Sequence, residues 1–179
     1  MKGFVEKEAD ALALAEVRDA FVRQWGAMGS QWGINRSMAM IHALLLISPK
    51  PLATDDIMEA LSISRGNANT NLRDLVDWGL VMPVLLKGDR RDFYTAEKDV
   101  WQIFCIVARE RKRREMEPAQ RVLENCVERI RDIPGDEARV LRDQLSALSD
   151  FVSTANGLMD RVSALPHGKV IPRVLKVLT

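Results

Sequence analysis

Residues that build metal centres and redox sites are scarce in this 179-residue chain, which has two cysteines, Cys105 and Cys126, and two histidines, His42 and His167. The cysteines stand 21 positions apart in helical sequence without a CxxC partner. They read as core thiols in a reducing compartment rather than as metal ligands or a redox switch. No glycine-rich phosphate loop is present, and two distant histidines cannot complete a Ser/His/Asp set. The expectation is therefore no enzyme, no catalytic residue, no metal and no cofactor. Long apolar runs are missing too. The best, Ala43 to Ile47, stops at Ser48-Pro49, far short of a bilayer span, and Glu6, Glu8, Asp10 and Glu16 break up any secretory leader. A cytoplasmic protein with no membrane partner is expected. Charge of one sign is not in excess either. The formal net charge is +1, so any nucleic-acid binding must come from a local patch.

What is present is an ordinary folded composition, 47% hydrophobic and 28% charged. From Phe4 to Met28, apolar residues at Leu14, Val17, Phe21, Trp25 and Met28 mark one helix face, with Gly26, Gly29 and Gly33 expected to loosen its end. Arg36 to Ile47 is apolar on most sides and predicts a central helix. Thr54 reads as the N-cap of a short helix, with Asp55 and Asp56 in its first turn. Ser62-Ile63-Ser64 is a tight turn, Ser64 caps a second helix, and Gly79 fits a left-handed C-terminal position. Leu80 to Leu86 and Asp92 to Thr95, around Lys87 to Arg91, predict a β-hairpin. Helix then resumes from Asp99 and breaks at Pro134-Gly135. Beyond that break, Leu141, Leu145, Leu148, Val152, Ala155, Met159 and Val162 form a seam for another helix. The short tail after Pro166 receives no assignment.

Function concentrates between Thr54 and Thr95. Ala68, Leu72 and Leu75 share the core face of the second helix, and Gly66, Thr70 and Arg73 lie opposite, flanked by Asn67, Asn69 and Asn71. Asn pairs with adenine, Arg with guanine, and Thr offers a hydroxyl or a methyl, so this face suits a DNA major groove. No carboxylate falls between Arg65 and Arg73; Asp74 and Asp77 come later. An amphipathic helix alone is as often a plain surface. The basic hairpin tip of Lys87, Arg90 and Arg91 that follows it is what points to a wing on phosphates or in the minor groove.

The ordered set Pro51 to Ile57, Ser64-Arg65-Gly66-Asn67, Leu72 to Leu75, Trp78 to Val81 and Gly88 to Tyr94 resembles the GbsR branch of the MarR-like winged helix-turn-helix transcriptional regulators. Trp32-Gly33-Ile34-Asn35-Arg36 fits that branch as well, and the resemblance covers about Gln24 to Lys112. It implies a mainly α fold with a small β-hairpin wing, a winged helix-turn-helix domain plus long dimerisation helices. It also implies a homodimer, a repressor's role and a small-molecule effector such as an osmoprotectant precursor. The recognition helix then runs from Ser64 to Trp78, Arg90 and Arg91 are wing arginines, and Asp89 orients a neighbouring arginine. Oxidant sensing through a cysteine near the N-terminus, used by some MarR relatives, is not expected here.

Domain boundaries follow: an N-terminal helix over 1–30, a DNA-binding domain over 31–98 (helix-turn-helix 54–78, wing 80–95) and a dimerisation region over 99–179. The expected DNA-contacting residues are Thr54, Ser64, Arg65, Asn67, Asn69, Thr70, Asn71, Arg73, Lys87, Arg90 and Arg91, acting on double-stranded DNA with a pseudo-palindromic operator. Phe21, Trp25, Trp32 and Trp101 are a candidate ligand pocket, by cation–π attraction, although rings filling a core fit them better. The run Arg109 to Glu115, five cations and two acids, reads as a solvated face with pairs such as Glu110–Arg114. A second reading stays open: a winged helix that binds a protein partner instead of specific DNA.

Overall fold

The computed structural model describes residues 2–164, with side chains from 10 onward; the tail after Pro166, with His167, lies outside the described residues. The chain forms two compact units that divide between Asp99 and Val100. The first holds α1 (Lys2–Gln31), α2 (Arg36–Ile47), β1 (Leu52–Ala53), α3 (Thr54–Leu61), α4 (Arg65–Trp78), β2 (Val81–Val84) and β3 (Phe93–Ala96). The mainly α fold with a winged helix-turn-helix is as expected.

Helix α2 is the axle of this unit. Asn35 caps it, its Oδ1 accepting from the Ser37 N–H at 2.9 Å and the Met38 N–H at 3.2 Å. Its side chains Met38, Ala39, Ile41, His42, Ala43 and Leu45 are all buried. At the other end, Lys98 Nζ donates to the carbonyls of Leu45, Leu46 and Ser48 at 2.6, 2.7 and 3.0 Å. A cation there satisfies orphan carbonyls and complements the helix dipole. It also ties the chain after the wing to the core.

Helix α1 packs on α2 through only part of the expected line, Trp25 lying 6.3 Å from the His42 ring, and through a stripe beside it. Val22, Gly26 and Gly29 are buried, whereas Leu14, Val17 and Met28 are exposed. The glycines do not loosen the helix. A Cβ at Gly26 would lie 2.5 Å from Met40 Cγ, and one at Gly29 would lie 2.6 Å from Ala39 Cβ. They are small because α2 passes close by.

The hairpin is one strand richer than expected. β3 pairs antiparallel with both β2 and β1, in the order β1-β3-β2, with Val81 opposite Ala96, Val84 opposite Phe93 and Ala53 opposite Phe93. Two residues of strand carry no readable alternation, so β1 left no signal. Phe93, Val81, Leu80 and Ala96 close the core over Ile57, Leu72 and Leu75.

The second unit holds α5 (Val100–Arg111), a π-helical turn (Lys112–Met116), α6 (Glu117–Ile130) and α7 (Asp136–Ser163). The π turn replaces a continuous helix. Pro118 has no N–H for the carbonyl four residues back, and the widened turn ahead of it absorbs the mismatch. The basic run is more than a solvated face: Glu110 is buried and accepts from Arg113 at 2.6 Å, with Arg114 at 3.6 Å, and Lys112 reaches Asp160 at 2.6 Å. Helix α7 packs on α6, where Asn156 donates to Gln120 Oε1 at 2.6 Å; of the expected seam, Leu145, Val152, Ala155, Met159 and Val162 are half-buried, whereas Leu141 and Leu148 stay exposed. Cys105 is buried, its Sγ donating to the Ser163 carbonyl at 3.7 Å, and Cys126 is half-buried.

Candidate nucleic-acid interface

The helix-turn-helix is built by local chemistry. Helix α3 begins one residue earlier than a Thr54 cap requires: Ala53 is the cap position, and Asp56 reaches back to accept from its N–H at 2.9 Å. Thr54 is therefore the first helical residue, half-buried rather than presented as a cap. Ser62 turns the chain with φ 52° and ψ 45°, in the left-handed region. Ser64 then caps α4, its Oγ accepting from the Asn67 N–H at 3.3 Å. Gly79, at φ 83°, ends α4 and lets the chain enter β2.

On α4, Ala68, Leu72 and Leu75 are buried as expected, and Arg65, Gly66, Asn67, Asn69, Thr70 and Arg73 are exposed. Nothing lies within 4 Å of the space a Cβ would take at Gly66. The face is thus open to close approach. Asn71 is the exception and corrects the expectation. It is 5% exposed, and its Nδ2 donates to the Asn67 carbonyl at 2.8 Å and to Asn67 Oδ1 at 2.7 Å. Its amide is spent inside the helix, so it offers no edge to a base.

The wing is less uniformly available than its sequence suggests. Lys87 and Arg90 are exposed without an ion-pair partner among the described residues, beside Gly88 at φ 90°. Arg91 is held. Its guanidinium donates to Asp89 at 2.7 Å, approaches Asp56 at 4.0 Å and sits 4.9 Å above the Phe93 ring. Asp89 orients a neighbouring arginine as expected, and the hydrogen bonds from Arg91 bring its carboxyl down to about 2. Arg65, at the start of α4, is likewise ion-paired with Asp55 of α3. Sequence spacing gave no sign of that pair, which needs the turn between the helices to form.

The candidate ligand residues are only partly gathered. Phe21 and Trp25 lie with ring centres 5.5 Å apart, and Trp25 lies 6.3 Å from the His42 ring. Trp32 is 56% exposed. Trp101 belongs to the second unit, where it stacks on Phe104 at 5.1 Å. His42 is buried with Nε2 unpartnered, and burial, aided by the Lys98 charge, holds its imidazole down at about 4. No helix among the described residues is long and apolar enough to cross a membrane.

This geometry has relatives. The chain is 23% identical to the HTH-type transcriptional repressor GbsR of Bacillus subtilis, over 94% of this chain and 98% of that protein. It is 28% identical to the HTH-type transcriptional regulator MmpR5 of Mycobacterium tuberculosis, over 76% of this chain and 83% of that one. The chain is a distant homologue of HTH-type transcriptional regulators. The HTH-type repressor OpcR of Bacillus subtilis aligns over 41% of the chain at 25% identity. A crystal structure described as a transcriptional regulator superposes with a TM-score of 0.53 at 24% identity, covering 79% of this chain and 97% of that one, which shows the fold. No family model matches the chain. These homologues are transcriptional regulators, which are not enzymes, in line with the sequence expectation.

Proposed function

We propose that this HTH-type regulator is a sequence-specific, homodimeric repressor in the cytoplasm, reading DNA with the first half of α4 and the β2–β3 wing. One observation carries this reading. A capped helix presents Arg65, Asn67, Asn69, Thr70 and Arg73, free of any carboxylate between the two arginines, next to a hairpin bearing Lys87 and Arg90. Asn69, Thr70 and Arg73 suit base edges, and Lys87 and Arg90 suit phosphates.

The homodimer is supported by apolar surface that the single chain leaves bare. On α1, Leu14, Val17 and Met28 are 53, 66 and 41% exposed. On the helices after Asp99, Phe104, Leu148, Phe151 and Leu158 are exposed as well. Exposed apolar side chains in such number favour a cover, and a second copy supplies self-complementary faces. A small-molecule effector belongs to the same reading. The Phe21–Trp25 pair beside His42 is where a cationic or aromatic compound finds π-faces.

The test is binding to random duplex DNA across a salt series, followed by fluorescence anisotropy. Affinity should fall steeply with salt, and Arg73→Ala combined with Arg90→Ala should weaken binding at every salt concentration. Salt-independent or absent binding by the intact protein overturns the reading. A winged helix that docks a protein partner would then take its place.

A further inference from the structure

Five cations line the proposed DNA-facing surface, but they are not equivalent. Arg73, Lys87 and Arg90 stand exposed, with no ion pair among the described residues. Arg65 and Arg91 are ion-paired. Asp55 takes Arg65, and Asp89 takes Arg91 with Asp56 at 4.0 Å. Three carboxylates therefore serve two guanidiniums, and two of the three sit side by side in the first turn of α3. That turn is held in place, because Asp56 also accepts from the Ala53 N–H at 2.9 Å and Ala53 is buried in the sheet. The backbone that carries Asp55 and Asp56 is thus fixed, and the Asp55 and Arg65 side chains, 56 and 61% exposed, pair at the surface beside it.

Pairing changes what an arginine does near DNA. A free cation releases condensed counterions when it meets a phosphate, and that release drives sequence-independent binding. A guanidinium already paired with a carboxylate releases none until the pair opens, and opening leaves the carboxylate facing phosphates. We propose that Asp55 is a specificity-determining residue that acts through Arg65. It withholds that arginine from random duplex DNA and yields it only where the base contacts of α4 fix the helix closely enough to displace the pair. The inference rests on the DNA-reading function proposed above. Its consequence is a lower non-specific affinity with little loss at the correct site, hence a larger ratio between the two.

The experiment is a double-mutant cycle on the full chain, with Asp55→Asn, Arg65→Ala and their combination titrated against random duplex DNA over a salt series. Asp55→Asn should tighten random-duplex binding by about three- to tenfold at low salt, and should steepen the slope of log affinity against log salt by about 0.9 per subunit. The gain should vanish in the Arg65→Ala background, and Asp55→Glu, which keeps the charge, should restore the behaviour of the unaltered chain. An equal gain with or without Arg65 means that only bulk charge has changed, and overturns the proposal. So does unchanged or weaker binding by Asp55→Asn while the unaltered chain binds with its own salt slope. Absence of salt-dependent binding by every protein in the cycle overturns the clamp together with the DNA-reading function, and is told apart from failure of the clamp alone by the behaviour of the unaltered chain.

Discussion

The two units of the chain bury their apolar side chains very differently. Up to Asp99, a contiguous core runs from Val22 through Ile41, Leu45, Ile57, Leu72 and Leu75 to Phe93, with Ile41 and Ile57 fully enclosed. From Val100 onward, Cys105 and Ile130 are the buried apolar residues among those described, joined by the polar Glu110 and Asn156, while Val122, Leu141, Leu148, Phe151 and Leu158 face outward. The first unit has its own core, although Leu14, Val17 and Met28 of α1 stay exposed. The second has helices with ion pairs and periodicity but no side-chain N-cap on α6 or α7 and little interior, which fits the proposed cover by a second copy. The difference fits the proposed division of labour: a reading unit with its own core and a scaffold that a second copy would cover.

The comparison can be broken most forcefully in the first unit. Leu72→Ala should lower the unfolding free energy by about 2–5 kcal/mol in urea titration, since a side chain 1% exposed leaves a cavity that the sheet and α2 cannot close. A change below about 1 kcal/mol would mean that this core is not the source of stability.

Acid should act next most strongly. The His42 imidazole sits at about 4 in the fold and at its ordinary 6.5 in the unfolded chain. Its folded pKa is the lower one, so the unfolded chain takes up the proton first. Stability is indifferent to this group above about pH 6.5 and falls as pH drops from there towards 4, by about 3 kcal/mol in all. Urea midpoints measured from pH 7.5 to 4.5 check this, and His42→Gln should flatten that part of the profile.

Gly29→Val is expected to cost about 1–3 kcal/mol, because the rigid Ala39 Cβ cannot withdraw from a new neighbour 2.6 Å away. Gly66→Ala on the open face of α4 should leave stability unchanged or raise it by less than about 1 kcal/mol. The contrast between the two separates a packing glycine from an access glycine, read by the same thermal melts.

The smallest stability effect belongs to the second unit. Phe151, 72% exposed, should be replaceable by Ser with less than about 0.5 kcal/mol lost within one chain. Self-association should nevertheless weaken about tenfold in light scattering or sedimentation. Unchanged association would remove α7 from the proposed dimer surface.

Much of this was legible in the residues. Ser64 and Gly79 announced the ends of α4 because caps obey local hydrogen bonding and backbone sterics. Ala68, Leu72 and Leu75 announced its buried face because a helix has a fixed period. What escaped reading depended on the third dimension. Asn71 looked like a groove residue until its amide turned back on Asn67, a choice that sequence spacing does not resolve. Of the apolar line on α1, Leu14, Val17 and Met28 stay exposed while Trp25 lies near His42, and α2 packs also on Val22 and the two glycines beside that line. Periodicity marks a face for burial without saying whether the same chain or another copy buries it. The ion pair Asp55–Arg65 spans ten positions and a turn, beyond the reach of any helical spacing rule.

The central claim is that α4 and the wing read DNA as a symmetric pair, and selection from a pool of random duplex DNA by the purified full chain tests it most directly. The account predicts enrichment of two inverted half-sites whose centres lie about 10 base pairs apart, one turn of the duplex, with enrichment lost in Arg73→Ala. Recovery of unenriched sequence, or of a single asymmetric site that Arg73→Ala still selects, would contradict it.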